Sequence, residues 1–145
     1  LTTPTMLITT AALMQYFNDS SITIDRFASM FTNEIIYIIL MNSMMLSFGF
    51  VGEIGYADIR ICTVLGFFPF IATFIVIFVQ FSLTQDAFIL ALVVSVVWSM
   101  YGFCALLNHS LKNIGYNILD IVSKNLFGVF LSIYLLTYVK ETPIM

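Results

Sequence analysis

Charged residues are scarce in this chain, where five basic and eight acidic residues make up 9% of the 145 positions. Soluble globular proteins carry about 25% charged residues, and a soluble domain of this size could not cover its surface with so few. The scarcity excludes a soluble enzyme and a disordered tail. Five basic residues also cannot build a phosphate-binding face, so nucleic acid is excluded as a partner.

Cysteine is equally rare, since the chain has only Cys62 and Cys104, which lie in separate apolar segments. Neither has the spacing of a metal site or of a secreted disulfide framework. We interpret both as small apolar packing residues. The sequence offers no metal site and no catalytic group, so we do not expect an enzyme.

Hydrophobic residues, in contrast, are abundant at 61%, and aromatic residues reach 16%. No Asp, Glu, Lys or Arg lies between Arg60 and Asp86, and none lies between Asp86 and Lys112. Each gap matches the ~20 apolar residues that a helix needs to cross a bilayer. A transmembrane barrel would show short alternating stretches instead. These gaps predict a multi-pass integral membrane protein built from helices.

The chain divides into apolar spans separated by polar segments. A partial crossing over residues 1–17 is followed by four complete crossings at about 33–51, 59–81, 87–107 and 114–138. Residues 18–31 form a polar connector, and short turns are predicted at 52–58, 82–86 and 108–113. Pro69 should kink its helix. We find no repeat and no second domain, which predicts one all-α transmembrane domain over residues 1–145, incomplete at its N-terminus.

The last span contains two ionisable residues, Asp120 and Lys124. Burying such a group in a bilayer costs at least ~2.5–3.5 kcal/mol, so its default explanation is functional. The two residues are four apart and lie on one helix face. A structural salt bridge between helices is the alternative. A desolvated lysine beside a carboxylate is suited to forming a Schiff base with an aldehyde, because burial favours the neutral amine.

Two other spans carry residues at helical spacing that could line a slot for a flat ligand. Trp98, Tyr101 and Ala105 share one face of their span. A second strip, Asn42, Met45 and Gly49, has the same spacing. Each strip taken alone is more typical of core packing than of a binding site.

Three motifs together resemble the microbial (type 1) rhodopsins, including viral rhodopsins. They are LTTP at residues 1–4, WSxY at Trp98–Tyr101, and LDxxxKxxxG at Leu119–Gly128. These motifs are similar to those of the third, sixth and seventh helices of that family. The chain then corresponds to a fragment from the middle of helix C through helix G, which is part of a seven-helix transmembrane bundle.

The resemblance implies a role for each matching position. Lys124 would bind all-trans retinal as a Schiff base, and Asp120 would be the seventh-helix counter-ion. The other matching pocket positions are Thr2 and Thr3 near the Schiff base, Trp98 and Tyr101 along the polyene, Asn42, Met45 and Gly49 near the ionone ring, and Phe70, with Phe67 and Phe68 as neighbouring candidates.

Several positions depart from the pattern of outward proton pumps. The primary counter-ion of the family would fall before Leu1. Thr9 stands where such a pump has its proton-donating carboxylate, and Lys112 stands at an acidic proton-release position. Asn125 adds a polar amide beside the lysine, and an interhelical hydrogen bond is its alternative explanation. Thr9 and Asn125 are therefore candidates for an ion pathway.

The resemblance implies a retinal photoreceptor that couples light-driven isomerisation to ion movement. The departures favour a light-gated cation channel. An outward proton pump is the alternative, and a sensory rhodopsin is a weaker one because the short loops offer no docking platform. The expected partners are retinal, the lipid bilayer and a proton or monovalent cation, and association into a homo-oligomer is left open.

Overall fold

The computed structural model describes residues 2–129 and 131–132. Every regular secondary-structure element among these residues is a helix. Six α-helices follow one another: α1 (Thr2–Asn18), α2 (Ile24–Met30), α3 (Thr32–Glu53), α4 (Ile59–Phe81), α5 (Gln85–Ala105) and α6 (His109–Asp120). A π-helical turn, Ile121–Leu126, extends α6. The end of the last predicted span, up to residue 138, lies outside the described residues.

Three of these helices, α3, α4 and α5, are long and apolar enough to cross a membrane. Along α4 the exposed apolar side chains recur every three or four residues and so form one face. They are Ile61, Val64, Phe68, Ile71, Ile75 and Val79, with Leu65 exposed beside Val64. A continuous apolar face of this kind suits contact with lipid, where apolar surface is not penalised.

The chain divides into two compact units, Leu1–Val96 and Val97–Met145. In the first unit, α1 packs against α3 and α4, and α3 and α4 pack closely together. Gly52 makes this approach possible, because a Cβ at that position would lie 2.9 Å from Cys62 Cβ. Cys62 is therefore a packing residue. The core of this unit is apolar and includes Leu7, Met14, Ile38, Ile77 and Phe81.

In the second unit, the end of α5 packs against α6. A Cβ at Gly115 would lie 2.6 Å from Cys104 Sγ, so a larger residue there would force the cysteine side chain to move. Cys104 thus also acts as a small packing residue, and neither cysteine forms a disulfide.

The connector over residues 18–31 contains helix α2, which the sequence interpretation as a polar connector missed. Thr23 caps this helix, since its hydroxyl accepts from Arg26 N at 3.3 Å. Phe27 is buried, and its ring lies 5.4 Å from Phe31 and 6.0 Å from Phe81, measured between ring centroids. The short helix forms because Phe27 gains burial in this aromatic cluster.

The prediction of a turn over residues 108–113 was wrong, because α6 already begins at His109. The side chain of Asn108 accepts a hydrogen bond from Leu111 N at 3.0 Å, which satisfies a free amide of the first turn. The turn is therefore confined to the residues before Asn108. The predicted third span, 59–81, agrees with α4, which runs without interruption through Pro69.

Asn18, at the end of α1, connects this helix to the link between α4 and α5. Its Nδ2 donates to Phe81 O at 2.8 Å. Its Oδ1 accepts from both the backbone N and the hydroxyl of Thr84, each at 3.1 Å. One side chain thus satisfies a terminal carbonyl of α4 and holds the residue that precedes α5. We call this group of contacts the Asn18 clasp.

Candidate functional site

Lys124 and Asp120 lie at the junction of α6 and the π-helical turn. Lys124 Nζ is 2.8 Å from Asp120 Oδ1, and the two side chains are 39% and 44% exposed. Asp120 is the last residue of α6, while Lys124 belongs to the π turn itself. Such turns are rare and are often found at functional sites. The structure thus brings the two ionisable residues into direct contact, as their spacing predicts.

Tyr101, on α5, is a second side chain of the second unit that contacts the Asp120 carboxylate. Its hydroxyl donates to Asp120 Oδ1 at 2.6 Å. The same hydroxyl lies 2.8 Å from Ser123 Oγ, whose side chain is 4% exposed. Asp120 therefore receives one hydrogen bond from an ammonium group and another from a phenol, both of which favour its ionised form.

Aromatic rings surround the same group. Trp98 is 8% exposed, and its ring centroid lies 6.4 Å from that of Tyr101 at an interplanar angle of 52°. Tyr116, one turn before Asp120 on α6, stacks on Tyr101 at 5.8 Å and 30°. The rings hold Tyr101 in place, which in turn fixes the direction of its hydroxyl toward Asp120.

The strip predicted on α3 lies in the first unit, and its three members differ in burial. Asn42 is 1% exposed, and neither its Oδ1 nor its Nδ2 has a hydrogen-bond partner among the described residues. Met45 is half-buried, while Gly49 is exposed with open space where a Cβ would stand. A buried amide without a hydrogen-bond partner is costly. Of the three residues, Asn42 is therefore the one whose side chain a polar ligand atom would stabilise.

The remaining candidates of the first unit lie on α1 and α4. Thr3 is half-buried, and the side chain of Thr2 lies outside the described residues. Phe70 is half-buried and packs on Phe74 at 4.9 Å between ring centroids. Phe68 is 67% exposed and belongs to the apolar outer face of α4. Of the phenylalanines, Phe70 is thus better placed than Phe68 to contact a buried ligand.

The two ion-pathway candidates have different surroundings. The Thr9 hydroxyl donates to Thr5 O in its own helix at 2.8 Å. Asn125 lies in the π turn next to Lys124 and its side chain is exposed. Thr9 therefore directs its proton toward a backbone carbonyl and carries no group that titrates near neutral pH.

Comparison with known proteins places the chain in a family. A family model described as bacteriorhodopsin-like protein matches residues 1–138. The chain belongs to this bacteriorhodopsin-like family. Among solved structures, the crystal structure of viral rhodopsin OLPVRII matches this chain with a TM-score of 0.82 and 26% sequence identity. Comparison with curated proteins gives no match.

The match to OLPVRII covers 99% of this bacteriorhodopsin-like chain and 64% of the OLPVRII chain. The chain thus spans 64% of the length of that viral rhodopsin. The resemblance to microbial and viral rhodopsins is confirmed by both comparisons, and so is the all-α fold. The family and the apolar helices together make the protein a multi-pass integral membrane protein.

This bacteriorhodopsin-like chain has a connected set of side chains that we call the Lys124 group: Lys124, Asp120, Tyr101, Ser123, Trp98 and Tyr116. The group fits retinal, which the family binds. A primary amine is available to bond an aldehyde, and a carboxylate at 2.8 Å would balance the resulting positive charge. The indole of Trp98 and the phenol of Tyr101 lie one turn apart on α5, and Tyr101 contacts Asp120 and Tyr116 of α6. The site is therefore suited to an aldehyde with a flat apolar body, whose imine with Lys124 would carry the positive charge that Asp120 balances.

Two residues of this group were missed by sequence reasoning. Ser123 follows Asp120 by three positions, so it shares a helix face with Asp120. Tyr116 precedes Asp120 by four positions and shares it as well. Helical spacing could have indicated both, but a serine and a tyrosine carry no charge and do not stand out in an apolar span.

Proposed function

We propose that this protein is a retinal-binding photoreceptor that couples light absorption to ion movement across a membrane. The observation that supports it best is the contact of Lys124 with Asp120, at 2.8 Å within the last helix. The family match over residues 1–138 supports the same function.

Each residue of the Lys124 group has a distinct role in this proposal. All-trans retinal, bonded to Lys124 Nζ, would supply a chromophore whose light-driven isomerisation displaces the positive charge at that nitrogen. Asp120 holds the charge in the dark by its negative carboxylate. Tyr101 stabilises that carboxylate through a 2.6 Å hydrogen bond. Trp98 presents a rigid buried face that restricts where a flat ligand can lie.

We further propose that the ion movement is passive, through a light-gated cation channel. An outward pump needs a proton donor on one side of the bilayer, and Thr9 has no acidic proton to give at neutral pH. Lys112 stands at a position where such pumps have an acid. A channel needs neither relay group, and the exposed amide of Asn125 adds a polar group beside the lysine.

Retinal binding is tested with two substitutions of the lysine in the full-length protein. Lys124→Ala removes the amine. Lys124→Arg keeps the positive charge, but its guanidinium group has no free primary amine to form a Schiff base with an aldehyde. Both variants should be colourless after expression with retinal, whereas Lys112→Ala should keep the visible band. A Lys124→Ala variant with undiminished visible absorbance would contradict the proposal.

The channel is tested by voltage-clamp recording of the illuminated full-length protein. A passive pathway carries current that reverses direction at the equilibrium potential of the permeant ion. A pump keeps one direction across the same voltages. Reversal that moves with the external concentration of a monovalent cation or of protons would identify the ion, and current of fixed direction would establish the proton pump instead.

A further inference from the structure

Ser123 has a buried hydroxyl that the proposed function leaves without a role. The Oγ atom lies 2.8 Å from the Tyr101 hydroxyl oxygen, and the side chain is 4% exposed. Elsewhere in these helices, hydroxyl side chains bond to their own backbone: Thr10 donates to Met6 O, and Ser132 donates to Gly128 O. Ser123 instead contacts the side chain that bonds Asp120.

The number of protons in this group fixes the direction of the Ser123 bond. Asp120 is ionised beside Lys124 and can only accept. Tyr101 has one hydroxyl proton, and that proton is donated to Asp120. The proton shared at 2.8 Å between Tyr101 and Ser123 must therefore come from Ser123. The bonds run from Ser123 to Tyr101 and from Tyr101 to Asp120.

We propose that Ser123 is a positioning residue that sets the direction in which Tyr101 donates and thereby holds Asp120 ionised. A phenol that accepts a hydrogen bond becomes a stronger donor, because successive bonds polarise one another. When Asp120 takes up a proton it becomes a donor, and both bonds can reverse by rotation of two hydroxyl groups. The role of this reversal in the response to light rests on the proposed function.

Other polar or titratable groups share the second unit with this carboxylate and must stay unchanged in any test. Lys124 forms the direct ion pair, and Tyr116 stacks on Tyr101. Cys104 lies near Tyr101 on the same helix, and Lys112 precedes Asp120 by two turns. Substituting Ser123 alters none of their charges, so a shift caused by that substitution can be attributed to the lost hydroxyl.

The test is an infrared titration of Asp120 in the full-length protein, both with and without retinal. The protonated carboxyl gives a C=O band that is identified by its loss in Asp120→Asn. Tyr101→Phe removes a hydrogen bond to a charged group, so the band should appear about 1–2 pH units higher. Ser123→Ala should raise it by about 0.1–0.6 pH unit, which is about 10–30% of that effect.

The double variant with Tyr101→Phe separates this role from any direct action of the Ser123 dipole. Ser123→Ala should add no shift when Tyr101 is already Phe, because its effect passes through the phenol. Ser123→Thr retains the hydroxyl and should restore the wild-type titration, and Ser132→Ala is the matched control, because the Ser132 hydroxyl donates to a backbone carbonyl. If Ser123→Ala does not fold, Ser123→Cys, a weaker donor, should give a smaller shift.

Two results would overturn the inference: a Ser123→Ala titration identical to wild type, or a shift that persists undiminished in the Tyr101→Phe background. Failure of the proposed function has a different signature. It would appear as wild-type protein that forms no coloured complex with retinal, while the titration without retinal would still report on Ser123.

Discussion

At the scale of single residues, the chemistry centres on a carboxylate held by two donors. Asp120 accepts from Lys124 at 2.8 Å and from Tyr101 at 2.6 Å. An ion pair inside a membrane rarely gains stability overall, because desolvation offsets most of the attraction. A structural salt bridge would explain the Lys124 contact, but it does not require the phenol and the buried serine that accompany it.

We predict that Asp120→Asn moves the visible band of the retinal-bound protein to longer wavelength. The neutral amide holds the positive charge at Lys124 less tightly, so that charge spreads further along the chromophore. On alkaline titration the band should also be lost at lower pH, because the charged nitrogen has lost its partner. Absorbance spectra across pH check both outcomes.

Asp86→Asn is the control for this variant, since Asp86 is exposed in the first turn of α5. It removes one negative charge without touching the Lys124 group. An Asp120→Asn protein with the spectrum and titration of the Asp86→Asn control would rule out a counter-ion role for Asp120.

At the scale of helices, the ends of the elements depend on specific side chains. Asn108 starts α6 and Thr23 starts α2, and both do so by accepting a backbone hydrogen bond. The Asn18 clasp connects three helices at once, through Phe81 O at the end of α4 and Thr84 before α5. The link between α4 and α5 is short, and the Asn18 side chain bonds to the residues at both of its ends.

We predict that Asn18→Ala lowers the free energy of unfolding by about 1.5–4.5 kcal/mol, since each of three lost hydrogen bonds contributes about 0.5–1.5 kcal/mol net. The three lost bonds are those to Phe81 O, Thr84 N and the Thr84 hydroxyl. Thermal unfolding in detergent, followed by circular dichroism, measures the change. Asn117→Ala, at an exposed position of α6, should have little effect. Equal unfolding temperatures for the two variants would show that the clasp contributes no stability.

At the scale of the whole molecule, the apolar outer faces of the helices and the few charges suit a chain surrounded by lipid. Under the proposed function, the same scarcity of charge leaves few side chains that could pass a proton to or from the Lys124 nitrogen. In α1, Thr9 bonds to its own helix, and our proposal places it where an outward pump would have its proton donor. Proton return to the Lys124 nitrogen should therefore draw on bulk solvent and slow as pH rises.

We predict that Thr9→Asp speeds this proton return and makes it less dependent on pH. A carboxyl in an apolar half-channel can deliver a proton locally. Flash photolysis of the full-length protein across pH provides the measurement, and Thr9→Asn is the non-titrating control. Wild-type proton return that is fast and independent of pH would point to a donor elsewhere in the protein and would favour the pump.

The sequence by itself determined the membrane helices and the main ionisable pair. Crossing a bilayer depends on local composition, so the charge-free gaps on either side of Asp86 were sufficient to predict α4 and α5. The spacing of Asp120 and Lys124 was equally sufficient, because residues four apart meet on any helix. The motifs around them also predicted the family correctly.

Only the tertiary structure decided which side chains complete the site. The contacts of Tyr101 with Asp120 and Ser123 join two helices, and no pattern within one helix fixes a distance between two. The same holds for the Asn18 clasp, whose partners lie more than 60 positions away along the chain. Helix α2 likewise depends on the contact of Phe27 with the ring of Phe81, which is distant in sequence. Such contacts depend on how helices pack, because packing brings together residues that local spacing cannot relate.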